Sequence, residues 1–271
     1  MALAVFRPAP MRLIKGGGIV NGSMEGAVCL VTGGGSGIGA ATAVAMASAG
    51  ASAVVIAGRR RELGQGVATA CRERGARALF AEADVSVEQD VAALTAEIVE
   101  RFGRLDVAFN NAGGQEVRRP LAEQTADVYQ QIFDVNVKGV FLCLRHQLSV
   151  MAAQGSGSIV VNASVSGIRN PNVGLSLYSA SKAAAISLVR SAALEYGPRG
   201  IRVNAVAPGR VATEMMLNSG VGTPESIGAT LPVRRMGRPE EVANAVVWLA
   251  SDKSAYVTGA VLPADGGFLA S

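Results

Sequence analysis

Between Gly26 and Gly58 the chain carries no charged residue, and Gly33, Gly34, Gly35, Gly37 and Gly39 cut that run in two. A membrane span also gives a long uncharged run, but as an unbroken stretch of apolar residues. Here the glycines interrupt it, and Ala, Ser and Thr fill much of the rest. Two strands buried on both faces give the same signal. Val28 to Thr32 reads as the first strand, Gly33 to Gly39 as a turn, Ala40 to Ala49 as a helix ended by Gly50, and Ser52 to Ala57 as the second strand. Such a β-α-β unit has glycines where the backbone must approach a phosphate and where helix meets strand. The helix N-terminus after Gly37 offers unpaired N–H groups and a positive dipole end to a pyrophosphate.

The alternation continues along the chain. Strands are expected at Ala76 to Glu82, Leu105 to Asn110, Ser158 to Ala163, Arg202 to Ala207 and Val261 to Pro263. Helices are expected at Val87 to Arg101, in a stretch ending near Ala153, from Tyr178 to Gly197, and at Pro239 to Ala250. Strands separated by helices call for right-handed crossovers and one α/β doubly wound domain, a parallel sheet of about seven strands covered on both faces. Ligands of such sheets sit beyond the carboxyl ends of the strands. Gly33–Gly39, Gly58–Arg61, Asp84, Asn110–Gly113, Ser164 and Pro208–Thr213 all fall on that edge.

A chain of 271 residues can bury about 75% of its unfolded surface as one domain, which places residues 25–271 in a single unit. Residues 1–23 contain Arg7, Arg12 and Lys15 but no acid, together with Pro8, Pro10 and Gly16–Gly18. The apolar run Leu3 to Phe6 is too short for a signal-peptide core. Residues 1–24 are therefore expected to be a disordered extension, with a targeting peptide as the alternative and Met24 as a candidate natural start.

Composition excludes several classes. The net charge of +4 is spread along the chain rather than clustered, so no nucleic-acid partner is implied. Cys29, Cys71 and Cys143 have no C-x-x-C spacing, which fits a reducing cytoplasm and no disulfide framework. With His146 as the single histidine, a His/Cys zinc cluster is absent and no metal site is expected. A Ser-His-Asp hydrolase would have to use His146, which falls inside a helical pattern and reads as structural.

Tyr178 and Lys182 stand four residues apart and project from one face of a helix. A free phenol, with a pKa of ~10, is a poor base at neutral pH. An ammonium ~4 Å away at an effective dielectric of ~20 favours the phenolate by ~4 kcal/mol, enough to lower its pKa by up to ~3. Taken alone, the spacing fits surface neighbours just as well.

Thr32-Gly33-x-x-x-Gly37-x-Gly39, Asp84-Val85, Asn110-Asn111-Ala112-Gly113, Asn136, Ser164, Tyr178-x-x-x-Lys182, Pro208-Gly209 and Asp265-Gly266-Gly267 occur in this order. Over essentially all of 25–271 the chain resembles the short-chain dehydrogenase/reductase family, with its Rossmann-type fold. The resemblance implies that Tyr178 exchanges a proton with the substrate oxygen and that Ser164 hydrogen-bonds that oxygen. It implies that Lys182 lowers the Tyr178 pKa and holds the nicotinamide ribose, and that Asn136 anchors a water linking Lys182 to solvent. By themselves, Ser164 reads as a strand-end hydroxyl capping a loop and Asn136 as a helix-kink amide. The resemblance further implies cofactor contacts from Gly33, Gly35, Ser36, Gly37, Ile38 and Gly39, and from Asp84 and Val85 at the adenine. Asn110, Ala112 and Gly113 are implied beside the adenosine ribose, and Pro208, Gly209, Val211 and Thr213 at the nicotinamide carboxamide.

An NAD enzyme of this kind carries an acid ~20 residues past the glycines for the ribose 2′-hydroxyl. Here Gly58 is followed by Arg59, Arg60 and Arg61, and three cations at a helix N-terminus oppose its dipole. That arrangement expects an anion, with Arg59 placed to fork onto a 2′-phosphate and Arg60 to assist. NADP(H) is therefore preferred. Ser36, where many NADP-preferring relatives have a base, keeps NAD(H) open.

Substrate contacts are expected from Gly114–Val117, Val165, Ser166, Asn170–Val173 and an apolar lid at 210–233 containing Met215, Met216 and Leu217. Adaptable methionines suit a neutral hydrophobic ketone or secondary alcohol. Similarity to dehydrogenases of cyclic alcohols and dihydrodiols points the same way. The rival substrate is a 3-oxoacyl thioester on an acyl carrier protein, which Arg118, Arg119 and Arg169 would meet. A non-catalytic nucleotide sensor or scaffold would leave Ser164, Tyr178 and Lys182 without a purpose, and a Rossmann-like methyltransferase would leave the last two so. The resemblance also implies a homotetramer, with the last two helices and Gly259–Phe268 at its interfaces.

Overall fold

A computed structural model describes residues 23–271 of the chain. The expectations for residues 1–22 lie outside the described residues. Met24, placed with the extension by the sequence reading, is buried, and its N–H donates to Ala49 O at 3.0 Å.

Seven strands form one parallel sheet: β1 Val28–Thr32, β2 Ala53–Gly58, β3 Arg77–Glu82, β4 Val107–Asn110, β5 Gly157–Asn162, β6 Ile201–Pro208 and β7 Val261–Ala264. Their spatial order is β3-β2-β1-β4-β5-β6-β7. The chain reverses direction across the sheet between β1 and β4, which opens a crevice at their carboxyl ends.

The helices are α1 Gly37–Ser48, α2 Arg61–Arg72, α3 Glu88–Phe102, α4 Ala126–Phe133, α5 Gly139–Gln154, α6 Ser176–Tyr196, α7 Glu214–Leu217, α8 Pro224–Ala229 and α9 Pro239–Ala250. Side chains alternate across a strand, and in β1 Val28 and Leu30 enter one core layer while Cys29 and Val31 enter the other. The first layer packs under α3, α5 and α6 through Leu94, Ile98, Leu144, Leu148, Ile186 and Val189. The second packs under α1, α2 and α9 through Met46, Ala68, Cys71, Val246 and Leu249. Both faces of β1 and β2 are dry, which accounts for the absence of charge from Gly26 to Gly58. No helix among the described residues is long and apolar enough to cross a membrane.

The helical stretch before Ala153 is not continuous. One π-helical turn, Asp134–Lys138, joins α4 to α5 and turns Asn136 fully inward. Such turns are rare and are frequent at functional sites.

Candidate active site

A cleft of about 500 Å³ runs across the carboxyl ends of the strands. Its floor is the turn Gly33–Ile38. Gly33 has φ +61°, and a Cβ there would stand 2.9 Å from Ala112 Cα. At Gly39 a Cβ would run into the Gly33 carbonyl oxygen and the Asn111 amide. The turn therefore closes only with glycine, and it sets the backbone of α1 end-on to the cleft. Ser36 caps α1 without a side-chain bond, and no acid occupies its first turn, so the N-terminal N–H groups are left for an anion. The glycine cradle and this helix end suit the pyrophosphate of a dinucleotide.

Of the residues anticipated at the cofactor, Gly33, Gly35, Ser36, Gly37, Ile38, Arg59, Arg60, Asp84, Val85, Ala112, Gly113, Tyr178, Lys182 and Thr213 line the cleft. Gly39 supports it from beneath. The Asn110 side chain does not face it: this buried amide pairs reciprocally with Gln147 of α5 at 2.8 and 2.7 Å. Its neighbour Asn111 turns into the cleft instead, with its amide on Thr32 O at 3.1 Å and Gly33 O at 3.0 Å. Pro208 pairs with Ala264 in the sheet, Gly209 packs on Asp265, and Val211 is buried in a bridge to Gly237. They lie beside the cleft without lining it. Glu214, Met215 and Asn218, from the segment expected at the substrate, line it too, while Asn162, Phe80 and Val135 line it unannounced by any motif.

Tyr178 stands in the first turn of α6, and Lys182, one turn on, lies with its Nζ 5.7 Å from the phenol ring centroid. The Lys182 ammonium donates to Asn162 O at 2.7 Å. Ser164, just beyond β5, stands beside the Tyr178 phenol and accepts from Ser166 N at 3.1 Å. It is thus both the loop cap and a neighbour of the phenol. Asn136 accepts from Gly114 N at 2.9 Å and donates to Gly114 O at 2.8 Å and Ser181 Oγ at 2.9 Å. Its side chain ties the loop after β4 to the helix that carries Tyr178.

The electrostatics differ from the sequence expectation. Burial pushes the Tyr178 phenol above its ordinary value; the Ser164 hydrogen bond pulls the other way, and the Glu116 carboxylate raises it further. Lys182 is pushed down to about 8 by burial. Desolvation penalises the charged form of each partner, and it is the largest influence on both. The phenol is consequently a proton donor at neutral pH rather than a phenolate. Burial also pushes the Asp84 carboxyl up, but hydrogen bonds from Ser86 and the Arg59 cation hold it below its usual range.

Comparisons with known proteins agree with this architecture. A family described as enoyl-(acyl carrier protein) reductase matches residues 33–269. The chain is 41% identical over 254 residues to 2,5-dichloro-2,5-cyclohexadiene-1,4-diol dehydrogenase of Sphingobium indicum, covering 91% of this chain and 98% of that one. It is 43% identical over 220 residues to cis-4-hydroxycyclohexanecarboxylate dehydrogenase of Sinomonas cyclohexanicum, covering 80% and 86%. The crystal structure of levodione reductase superposes with a TM-score of 0.88 at 40% identity, covering 92% of this chain and 99% of that one. The chain belongs to the short-chain dehydrogenase/reductase family. It is an oxidoreductase of CH–OH groups that transfers a hydride between a nicotinamide cofactor and a secondary alcohol or ketone.

Proposed function

We propose that the chain interconverts a neutral cyclic secondary alcohol and its ketone, with Tyr178 as general acid/base and NADP(H) as the preferred cofactor. Tyr178 and Lys182 in the cleft wall, with the buried Ser164 beside the phenol, carry this reading. The relatives named above act, by their names, on ring alcohols.

A bound nicotinamide supplies or accepts the hydride. The chain's own residues manage the proton. In reduction the protonated phenol of Tyr178 donates to the substrate oxygen; in oxidation it takes that proton back. Ser164 accepts from Ser166 N, and its hydroxyl proton would turn from the phenol to the substrate oxygen when substrate is bound. Lys182 spends one N–H on Asn162 O and keeps others for a ribose hydroxyl. Asn136 is read as the anchor of a proton path from Lys182, since its Oδ1 and the Lys182 Nζ would both be close neighbours of a Cβ at Gly113, at 3.1 and 3.3 Å. Met215 and Leu217 on α7 are exposed over the cleft mouth, in keeping with an apolar lid over 210–233.

For NADP(H) the support is local. Gly58, not an acid, ends β2, and Arg59 and Arg60 line the cleft. Arg59 pairs with Asp84 at 3.5 Å and Arg60 with Glu214 at 3.3 Å. Both cations are solvent-exposed, and such surface pairs contribute ~0–1 kcal/mol, so a 2′-phosphate can compete for them. A panel of ring ketones and alcohols assayed with both cofactors tests the reading. Arg59→Ala is expected to lower kcat/KM with NADP(H) by about 10-fold or more, leaving NAD(H) rates little changed. An NAD(H) preference that Arg59→Ala does not alter would count against it.

A 3-oxoacyl thioester on a carrier protein is the less favoured substrate, because the named ring-alcohol relatives share more than 40% identity. Failure to turn over any ring ketone, with salt-sensitive turnover of carrier-bound substrate, would reverse that order. A cytoplasmic homotetramer completes the proposal; sedimentation would check the assembly.

A further inference from the structure

Glu116 lies on the loop after β4 and is buried, 5% exposed. None of the ion pairs among the described residues includes it. A carboxylate taken out of water needs hydrogen bonds to survive there, and this one finds them at the start of α6. Its Oε1 accepts from Leu177 N at 2.9 Å and Tyr178 N at 3.1 Å, and its Oε2 accepts from Tyr178 N at 3.0 Å. The local sequence supplies no substitute. Leu175 occupies the cap position and makes no side-chain cap bond, and the buried Ser176 hydroxyl has no partner. The first turn of α6 is therefore held by an acid 62 residues upstream, and one of the amides it holds is that of Tyr178 itself.

Taking Tyr178 as the proton carrier, as above, we propose that Glu116 is a positioning residue for the proton transfer. Its carboxylate pins Tyr178 to the loop after β4 through the Tyr178 amide, and its charge acts on the phenol from that fixed place. The charged or polar groups that face the phenol are Lys182 from α6, Ser164 from the loop after β5 and Glu116. Glu116 and Lys182 bracket it with opposite signs. The cation favours the phenolate and the anion the phenol, so removing the Glu116 charge shifts the pH at which the phenol gives up its proton. The fixed anion also draws on the positive end of the α6 dipole, which would otherwise favour the phenolate.

The test separates pinning from charge. Glu116→Gln keeps an acceptor oxygen for the amides and removes the charge. It is expected to retain kcat within about 10-fold while the rising limb of the oxidative kcat/KM profile moves to lower pH by about one unit. Glu116→Ala removes both, and kcat is expected to fall by roughly 10²-fold, the scale set by a misplaced reacting group, with cofactor Kd unchanged. A Glu116→Gln profile that superimposes on the wild type overturns the charge role, and an Ala variant with wild-type kcat overturns the pinning. If the Ala variant does not fold, the Gln profile still decides. Tyr178→Phe, assayed alongside, separates the two layers. A surviving rising limb in that variant defeats the reading of Tyr178, whereas its loss with an unmoved Glu116→Gln limb defeats only the role of Glu116.

Discussion

Tyr178→Phe is expected to lower kcat/KM in both directions by about 10²–10⁴, the usual contribution of a positioned general acid or base. Cofactor Kd should be unchanged, because the ring itself remains. The phenol is the one group in the cleft that is both beside Ser164 and within reach of Lys182. Burial holds it protonated at neutral pH, so reduction should proceed readily at pH 6–7, whereas oxidation must wait for the fraction deprotonated and should quicken as pH rises. Stopped-flow measurement of hydride transfer, with the variant saturated in cofactor, checks the effect without interference from product release.

Lys182→Met is expected to remove most activity and yet stabilise the fold at pH 7. Lys182 is 4% exposed, and burial lowers its pKa to about 8 against ~10.4 in the unfolded chain. Between those values the unfolded chain binds more protons than the folded one, so stability rises with pH across that window. Below about pH 8 the folded protein carries the full cost of the buried ammonium, roughly 3 kcal/mol for a shift of this size. The substitution lifts that cost and leaves the Asn162 carbonyl without its 2.7 Å donor, a loss of about 1–2 kcal/mol. A net gain of about 1–2 kcal/mol corresponds to a Tm higher by a few degrees without cofactor. The gain should shrink towards pH 10. A variant less stable than the parent at pH 7 would show that the ammonium is held by more than Asn162.

The fold was legible because the central parallel strands write themselves as short apolar runs, uncharged in β1, β2, β4 and β5, and strands alternate with helical patterns along the chain. Most of the cofactor cleft followed from the same rule, since its residues sit at strand ends. Asn110 was misplaced beside the ribose although strand parity would have corrected it: Ala108 enters the layer under α5, so Asn110, two residues on, turns the same way to Gln147. The sequence allows a helix kink at Asn136, but not its π-helical form, because a single-residue slip of the repeat leaves the apolar pattern otherwise intact. Glu116 falls in the range expected at the substrate, Gly114–Val117, but its hold on α6 was not legible, because Leu177 and Tyr178 are distant in sequence and capping rules look only a few residues away. The sign of the Tyr178 shift needed the fold as well. Spacing puts a cation near the phenol, but only burial and the Glu116 carboxylate show which influence wins.

The pH dependence of kcat/KM in both directions, measured on the wild type and on Tyr178→Phe, bears most directly on the phenol as proton carrier. The expected result is an oxidative limb that rises and a reductive limb that falls through one shared midpoint above neutrality, both missing from the Phe variant. Limbs that persist in that variant at the wild-type midpoint would assign the proton to another group in the cleft.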